Sequence, residues 1–362
     1  MIRNSVYGHK LYPCGFIGYL SRTNLPKNLR RFLFYFSKIK TLKHERRKFL
    51  SLLNLPFTLT QSNPKSNLPE IEVLICLHEK DLILLNVCLD YLIQMSKNQI
   101  TKITIVTTPM GLTLISQLDM EHQYKEIEFS VQNENTLLPQ PILLACEKDP
   151  RIAGWMKQQL IKIWTAYQST AEGLLVIDVD TIILQETIWI DNIGNSSIFP
   201  NFHSGNSSNG FISLYPGLIY EGTDYGFVSH YQLMKPQIVA DLINEIQGKK
   251  IEKLTETHDS TLATSMNKSF EQHSNNSRLE KSDQVIRVLE SLVEQLGVSL
   301  SEYDIYARYS LKRCDSKTTE CFWSNTSVDL KTVQDVELVR KISKRLTKYY
   351  SSVSFHTHVL FD

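Results

Sequence analysis

The sequence predicts an α/β protein: a mixed, mainly parallel sheet flanked by helices and preceded by a basic extension. Three observations lead there. Residues 70–132 alternate strand-like and helix-like hydrophobic patterns, the order of a βαβ unit. Residues 173–184, which read Gly-Leu-Leu-Val-Ile-Asp-Val-Asp-Thr-Ile-Ile-Leu, form a near-continuous apolar run rich in β-branched side chains, the pattern of a strand buried on both faces. Charge is also divided: residues 1–69 carry 13 Lys and Arg against one acid, Glu45, whereas residues 70–362 carry 26 against 37. The chain therefore reads as a basic arm and linker over 1–69 joined to an acidic body over 70–362.

With 362 residues, 42% of them apolar and 21% charged, the chain can bury a substantial core, and one large domain with appendages is expected. No run of eighteen apolar residues occurs, and the opening Met1-Ile2-Arg3-Asn4 lacks the basic-then-apolar order of a signal peptide, so a cytoplasmic location is expected. The six cysteines (Cys14, Cys76, Cys88, Cys146, Cys314, Cys321) include no CxxC pair, and three lie in or beside apolar runs. Reduced thiols are expected, with a bond between Cys314 and Cys321 as the alternative. Residues 26–53 mix Lys and Arg with Phe, Tyr and Leu, which suits an interfacial helix on the anionic inner face of a membrane. Docking onto the acidic body suits the same composition. Nucleic acid is not expected, because no nucleic-acid-binding signature accompanies the charge. Residues 60–69 are a polar, proline-punctuated linker.

Through the body, strands are expected at 71–77, 102–107 and 127–132, with helices over 80–96 and 111–121 between them. Residues 133–151, with Pro139, Pro141 and Pro150, read as loop. A helix over 152–168 follows, then the 173–184 strand. Residues 194–226, rich in Gly, Ser, Asn and Tyr, read as a long loop or short-strand excursion. A strand over 226–234 leads to a helix starting at Pro236, and 248–283 is a polar, exposed insertion. Helices over 284–297 and 333–348 and a β-like tail at 354–358 complete the pattern.

The candidate site starts from Asp178 and Asp180. Two residues apart, they share a face of a regular strand, and at a strand's carboxyl end they can converge on one ligand. Two uncompensated carboxylates there invite a hard divalent cation, Mn²⁺ or Mg²⁺. The plain alternative is that one of them caps the next turn. On the preceding helix, Trp155, Gln158, Gln159 and Lys162 fall at i, i+3, i+4 and i+7. A tryptophan, two amides and an ammonium on one stripe suit a ring and its phosphates, although a solvated polar face gives the same stripe. His230 is expected at the end of the 226–234 strand, as a structural residue or a ligand. Glu302, Tyr303 and Asp304 interleave acids with an aromatic ring, which suits sugar binding, while Ser301 and Asp304 also fit a variant capping box. In the tail, His356 and His358 are two apart, and one of them can supply an imidazole to a metal.

Four of these segments, 154–162, 175–181, 227–234 and 301–306, resemble in order and rough spacing a bacterial family of largely uncharacterised glycosyltransferase-like proteins. The resemblance covers about 70–310. It implies a GT-A fold, a nucleotide-sugar donor and a divalent metal on the Asp pair; the favoured reading adds a UDP- or GDP-sugar and a glycan or lipid-linked acceptor in cell-surface polysaccharide or glycolipid synthesis, with the basic arm at the membrane. In that reading Asp178 and Asp180 hold the metal, with His358 or His230 completing the coordination, and Trp155, Gln158, Gln159, Lys162, Asp178, His230 and Tyr303 bind the donor. Glu302, with Asp304 second, takes the acceptor's proton if the enzyme inverts. The family tends to carry His-His where this chain has His230-Tyr231. A nucleotidyl- or phosphotransferase using the same Asp pair and a non-catalytic binding protein are the other readings; the absence of a Gly-rich phosphate loop weighs against the first of these.

Overall fold

The computed structural model describes residues 68–200, 208–221, 226–256, 278–313, 317–321, 325–330, 335–347 and 350–357. The expectations for residues 26–53, for Cys14 and Cys314, and for His358 lie outside them.

The apolar run β1 (Ile71–Leu77) leads through a 3₁₀ turn (Glu79–Leu84) into α1 (Leu85–Met95), so the single helix expected over 80–96 is divided. Next come β2 (Ile100–Thr107), α2 (Pro109–Ile115), the one-turn α3 (Met120–Gln123) and β3 (Glu128–Asn133). Thr108 caps α2 by accepting from Gly111 N at 3.1 Å, and Pro109 occupies the first turn, where its missing N–H costs nothing. The region expected as loop holds two short helices, α4 (Glu134–Leu137) and α5 (Gln140–Glu147). Pro141 reads as a breaker in sequence, yet in the first turn of α5 it is compatible with the helix. Then follow α6 (Ala153–Gln168) and β4 (Leu174–Asp178).

The 173–184 run is broken where one strand was expected. β4 ends at Asp178, and β5 (Thr181–Ile183) belongs to another sheet. After β6 (Ser196–Ile198) and α7 (Asn209–Leu214) come β7 (Tyr231–Met234), α8 (Pro236–Glu256) and α9 (Arg278–Leu296). The last two extend helix into both flanks of the polar 248–283 stretch. α9 gives way at Gly297, whose φ of +48° is the left-handed geometry that glycine adopts without a Cβ clash. The chain finishes with α10 (Glu302–Arg313), β8 (Thr318–Glu320), β9 (Asn325–Leu330), α11 (Val336–Leu346) and β10 (Ser352–Thr357).

The central sheet has the order β3-β2-β1-β4-β7, parallel throughout except for β7, which runs antiparallel to β4. This is the mixed, mainly parallel sheet that the strand–helix alternation predicts. Strand alternation splits its side chains between two cores. Leu74, Leu174 and Val176 pack with Met156 and Leu160 of α6, Ile243 of α8, Leu289 of α9 and Tyr306 of α10. Val73, Ile75, Leu175 and Ile177 pack with Val87 and Leu89 of α1 and with Ile182, Val353 and Phe355 of the second sheet, β5-β10-β9. Each fully buried aliphatic side chain contributes about 1.5–3 kcal/mol, so both faces of the sheet are anchored. Cys76, Cys88 and Cys146 are reduced thiols, and Cys321 is buried with its sulfur 3.5 Å from Ser197 Oγ.

Candidate functional site

The alternation of β4 places the first aspartate. Leu174 and Val176 face the helical core of α6, α8 and α10, so Asp178, next in that series, turns its carboxylate to the same side at the strand's end. Lys162 of α6 meets it: Nζ donates to Asp178 Oδ1 at 2.9 Å and lies 2.9 Å from Glu302 Oε1. Tyr303 closes the group, its hydroxyl donating to Asp178 Oδ1 at 3.1 Å and lying 3.2 Å from Lys162 Nζ, with the ammonium 4.3 Å from the ring centre. Lys162 and Glu302 have side chains only 4% and 1% exposed, whereas Asp178 keeps 28%. The ammonium and Glu302 are thus enclosed, and Asp178 sits where the enclosed cluster meets solvent.

β7 places the histidine. Because β7 runs antiparallel to β4, with Tyr231 opposite Ile177, its first residues lie beside the carboxyl end of β4. His230 precedes the strand instead of ending it. Its carbonyl accepts from Asp178 N at 2.9 Å, and its Nδ1 lies 3.1 Å from Asp178 Oδ2. Gripping Asp178 by backbone and ring together is accompanied by a φ of +67°, the one positive value at a non-glycine residue among those described. Such a conformation costs about 1–3 kcal/mol and persists where surrounding structure enforces it, commonly at sites.

Asp180 lies across a tight turn. Its carbonyl accepts from Phe355 N at 2.8 Å, and its Oδ2 is 3.2 Å from His356 Nδ1. The rings of His230 and His356 have centres 5.2 Å apart. Ligand atoms of Asp178, Asp180 and His230 all lie within 4.8 Å of one another, and all three residues are half-buried. Two carboxylates and an imidazole, with a second imidazole beside them, form a donor set that suits a divalent cation such as Mn²⁺.

Electrostatics follow from this packing. Burial alone would raise the Asp178 carboxyl, but the Lys162 ammonium and the hydrogen bond from His230 hold it well below the usual carboxylate range. Burial would likewise depress Lys162, yet Asp178 and Glu302 hold it well above the usual ammonium value. Burial pushes Glu302 up despite Lys162. Burial opposes the charged form of His230, but Asp178 outweighs it and raises the imidazole.

The other expected residues separate. Gln159 is buried beside Lys162 on α6, Gln158 is half-buried, and Trp155 is 41% exposed two turns away, about 10 Å along the helix. Asp304 is not part of this corner. Its Oδ1 accepts from Phe227 N at 2.8 Å, and its Oδ2 accepts from Arg308 Nε at 3.0 Å and from Ser208 Oγ. Arg308 also donates to Tyr220 O at 3.0 Å and lies over the Phe227 ring. That closed clamp fastens the described parts of the 208–227 excursion to α10. His356 is the tail histidine found at the site; its position depends on β10 pairing with β5, which local pattern does not announce. The available signal is its spacing from Ser354, whose hydroxyl meets Thr181, the neighbour of Asp180, at 2.9 Å.

A profile of a family described as "Family of unknown function (DUF6492)" matches residues 55–200, fewer than half of the chain. No curated protein matches the sequence. Among solved structures, the chain is similar to the apo structure of the WbbM bifunctional glycosyltransferase, with a TM-score of 0.37 at 10% identity, covering 83% of this chain and 47% of that one. It is also similar to the mannosyltransferase Ktr4p of S. cerevisiae, with a TM-score of 0.32 at 9% identity, covering 55% of this chain and 66% of that one. The chain thus spans about half the length of the first.

Proposed function

We propose that this protein is a metal-dependent glycosyltransferase of GT-A type that moves a sugar from a nucleotide-sugar donor to a glycan or lipid-linked acceptor. The observation that carries the reading is the convergence of Asp178, Asp180 and His230 at the carboxyl edge of the parallel sheet, where open α/β sheets bind ligands. The four sequence segments that resemble glycosyltransferase-like proteins support it, since two of them supply Asp178, Asp180 and His230 and the other two supply Lys162, Glu302 and Tyr303 behind Asp178.

In this reading Asp178, Asp180 and His230 hold Mn²⁺ or Mg²⁺, with His356 alongside Asp180. When bound, the cation supplies positive charge against the diphosphate that departs as the glycosidic bond breaks. Trp155 and Gln158, on the more open part of α6, pack beside and orient the donor. The clamp of Asp304 and Arg308 holds Ser208, Tyr220 and Phe227 against α10. Residues 26–53 would keep the enzyme on the cytoplasmic face of an anionic membrane, where lipid-linked acceptors lie.

The test is titration of the purified protein with UDP, GDP, CMP and their sugars, with and without Mn²⁺, by calorimetry and thermal shift, alongside Asp180→Ala. Mn²⁺-dependent stabilisation by one nucleoside diphosphate, lost in Asp180→Ala, is the expected result and names the donor base. No binding of any nucleotide with any metal would overturn the reading and bring a non-catalytic role forward.

A further inference from the structure

Glu302 and Lys162 raise a chemical question that the proposed function leaves open. Both are charged and enclosed, and neither presents its charge to solvent, so neither is placed to touch a donor or an acceptor directly. Their contacts run inward instead. Lys162 sits between Asp178 and Glu302 at 2.9 Å from each, and Tyr303 contacts both Lys162 and the same Asp178 oxygen. Lys162 and Tyr303 both donate to Oδ1, while the contact of Oδ2 is with His230, itself one of the three clustered candidate ligands.

We propose that Lys162, Glu302 and Tyr303 are a positioning group for the cation site: Lys162 and Tyr303 fix Asp178 through Oδ1 and leave Oδ2 for the metal, and Glu302 is the counter-ion of Lys162. This rests on the cation reading of the corner. Charge explains why three residues are used. An ammonium alone would orient Asp178 but cancel its charge and repel an incoming cation. With Glu302 on its far side, Lys162 belongs to a neutral pair, and the two aspartates keep their double negative charge toward the ligand. Tyr303 adds a neutral donor that sharpens the orientation without altering that balance. Groups that orient a metal ligand from behind are commonly worth about 10–100-fold in metal affinity when removed. Both carboxylates of the 301–306 segment are then occupied inside the protein, Glu302 here and Asp304 in its clamp.

The experiment is calorimetric titration of the full chain with Mn²⁺ alone, for wild type, Asp180→Ala, Tyr303→Phe and Glu302→Gln, with melting temperature measured on each sample. Tyr303→Phe should weaken Mn²⁺ binding about 10–100-fold while the protein remains folded. Glu302→Gln should weaken it as well, because Lys162 then neutralises Asp178, and this loss should be recovered in part by adding Lys162→Met. Asp180→Ala should abolish uptake. If Asp180→Ala loses Mn²⁺ while Tyr303→Phe binds it as wild type does, the positioning role is overturned and the cation site stands. If wild type takes up no Mn²⁺, the cation site fails and the positioning role falls with it. Should Glu302→Gln not fold, Tyr303→Phe, which changes no charge, decides the matter.

Discussion

Glu302 and Asp304 stand two residues apart on the same helical turn, yet they serve two different environments. Successive positions on a helix point about 100° apart, so Glu302 and Tyr303 reach Lys162 behind Asp178, while Asp304 reaches Arg308, Ser208 and the backbone of Phe227. At the Asp304 clamp both carboxylate oxygens accept hydrogen bonds from protein donors and both partners are 0% exposed. At the Asp178 corner one oxygen accepts from Lys162 and Tyr303, the other meets only the ring of His230, itself a candidate ligand, and the side chain keeps 28% exposure. Both carboxylates meet protein partners through both oxygens, so exposure separates them: the fully enclosed Asp304 holds structure, whereas Asp178, open to solvent and met on its outer oxygen by a candidate co-ligand, is available to a ligand.

The sharpest way to break this contrast is Arg308→Met. It leaves Asp304 buried without its cation and should cost about 3–5 kcal/mol in urea unfolding. Mn²⁺ titration of the folded protein should keep wild-type affinity, and loss of Mn²⁺ uptake without loss of stability would erase the distinction between the two centres. His230→Gly works from the other side. Relief of the left-handed backbone, about 1–2 kcal/mol, roughly offsets the added freedom of glycine in the unfolded chain, so melting should stay near wild type while Mn²⁺ affinity falls at least tenfold. A large drop in melting temperature with unchanged Mn²⁺ affinity would assign His230 to structure. The smallest effect is expected at an exposed ion pair such as Lys97 with Glu186, whose side chains are 44% and 66% open. Lys97→Ala should change stability by less than about 1 kcal/mol and leave Mn²⁺ uptake untouched, setting the baseline for charge removal.

Much of the frame was legible locally. The strands β1 and β2 announce themselves by apolar runs and β3 by the alternation of Phe129 and Val131 with polar residues, and α6 shows in its period the stripe that ends at Lys162. The Asp pair is legible for the same reason, as charge interrupting an apolar run. What the sequence hides is non-local. The two aspartates interrupt the 173–184 run, but nothing local says that Thr181–Ile183 joins a different sheet from β4. The place of His230 depends on β7 running antiparallel, a direction set by tertiary packing. Asp304 and Arg308 are i and i+4 on a helix, an ordinary surface pair in sequence, and only the packed excursion makes them a buried clamp.

His356 reaches Asp180 from 176 residues further along the chain. At typical translation speeds, a ribosome that has just made the two aspartates needs roughly 10–35 s more before the partner imidazole exists. During that interval a nascent chain already has β1, β2, β3 and β4 available to pair, and it carries Asp178 and Asp180 without His356, β10 or the Glu302 and Tyr303 that stand behind Asp178. The acidic corner is thus born incomplete and finished late, so the sheet can take shape on the ribosome well before the corner has all its side chains.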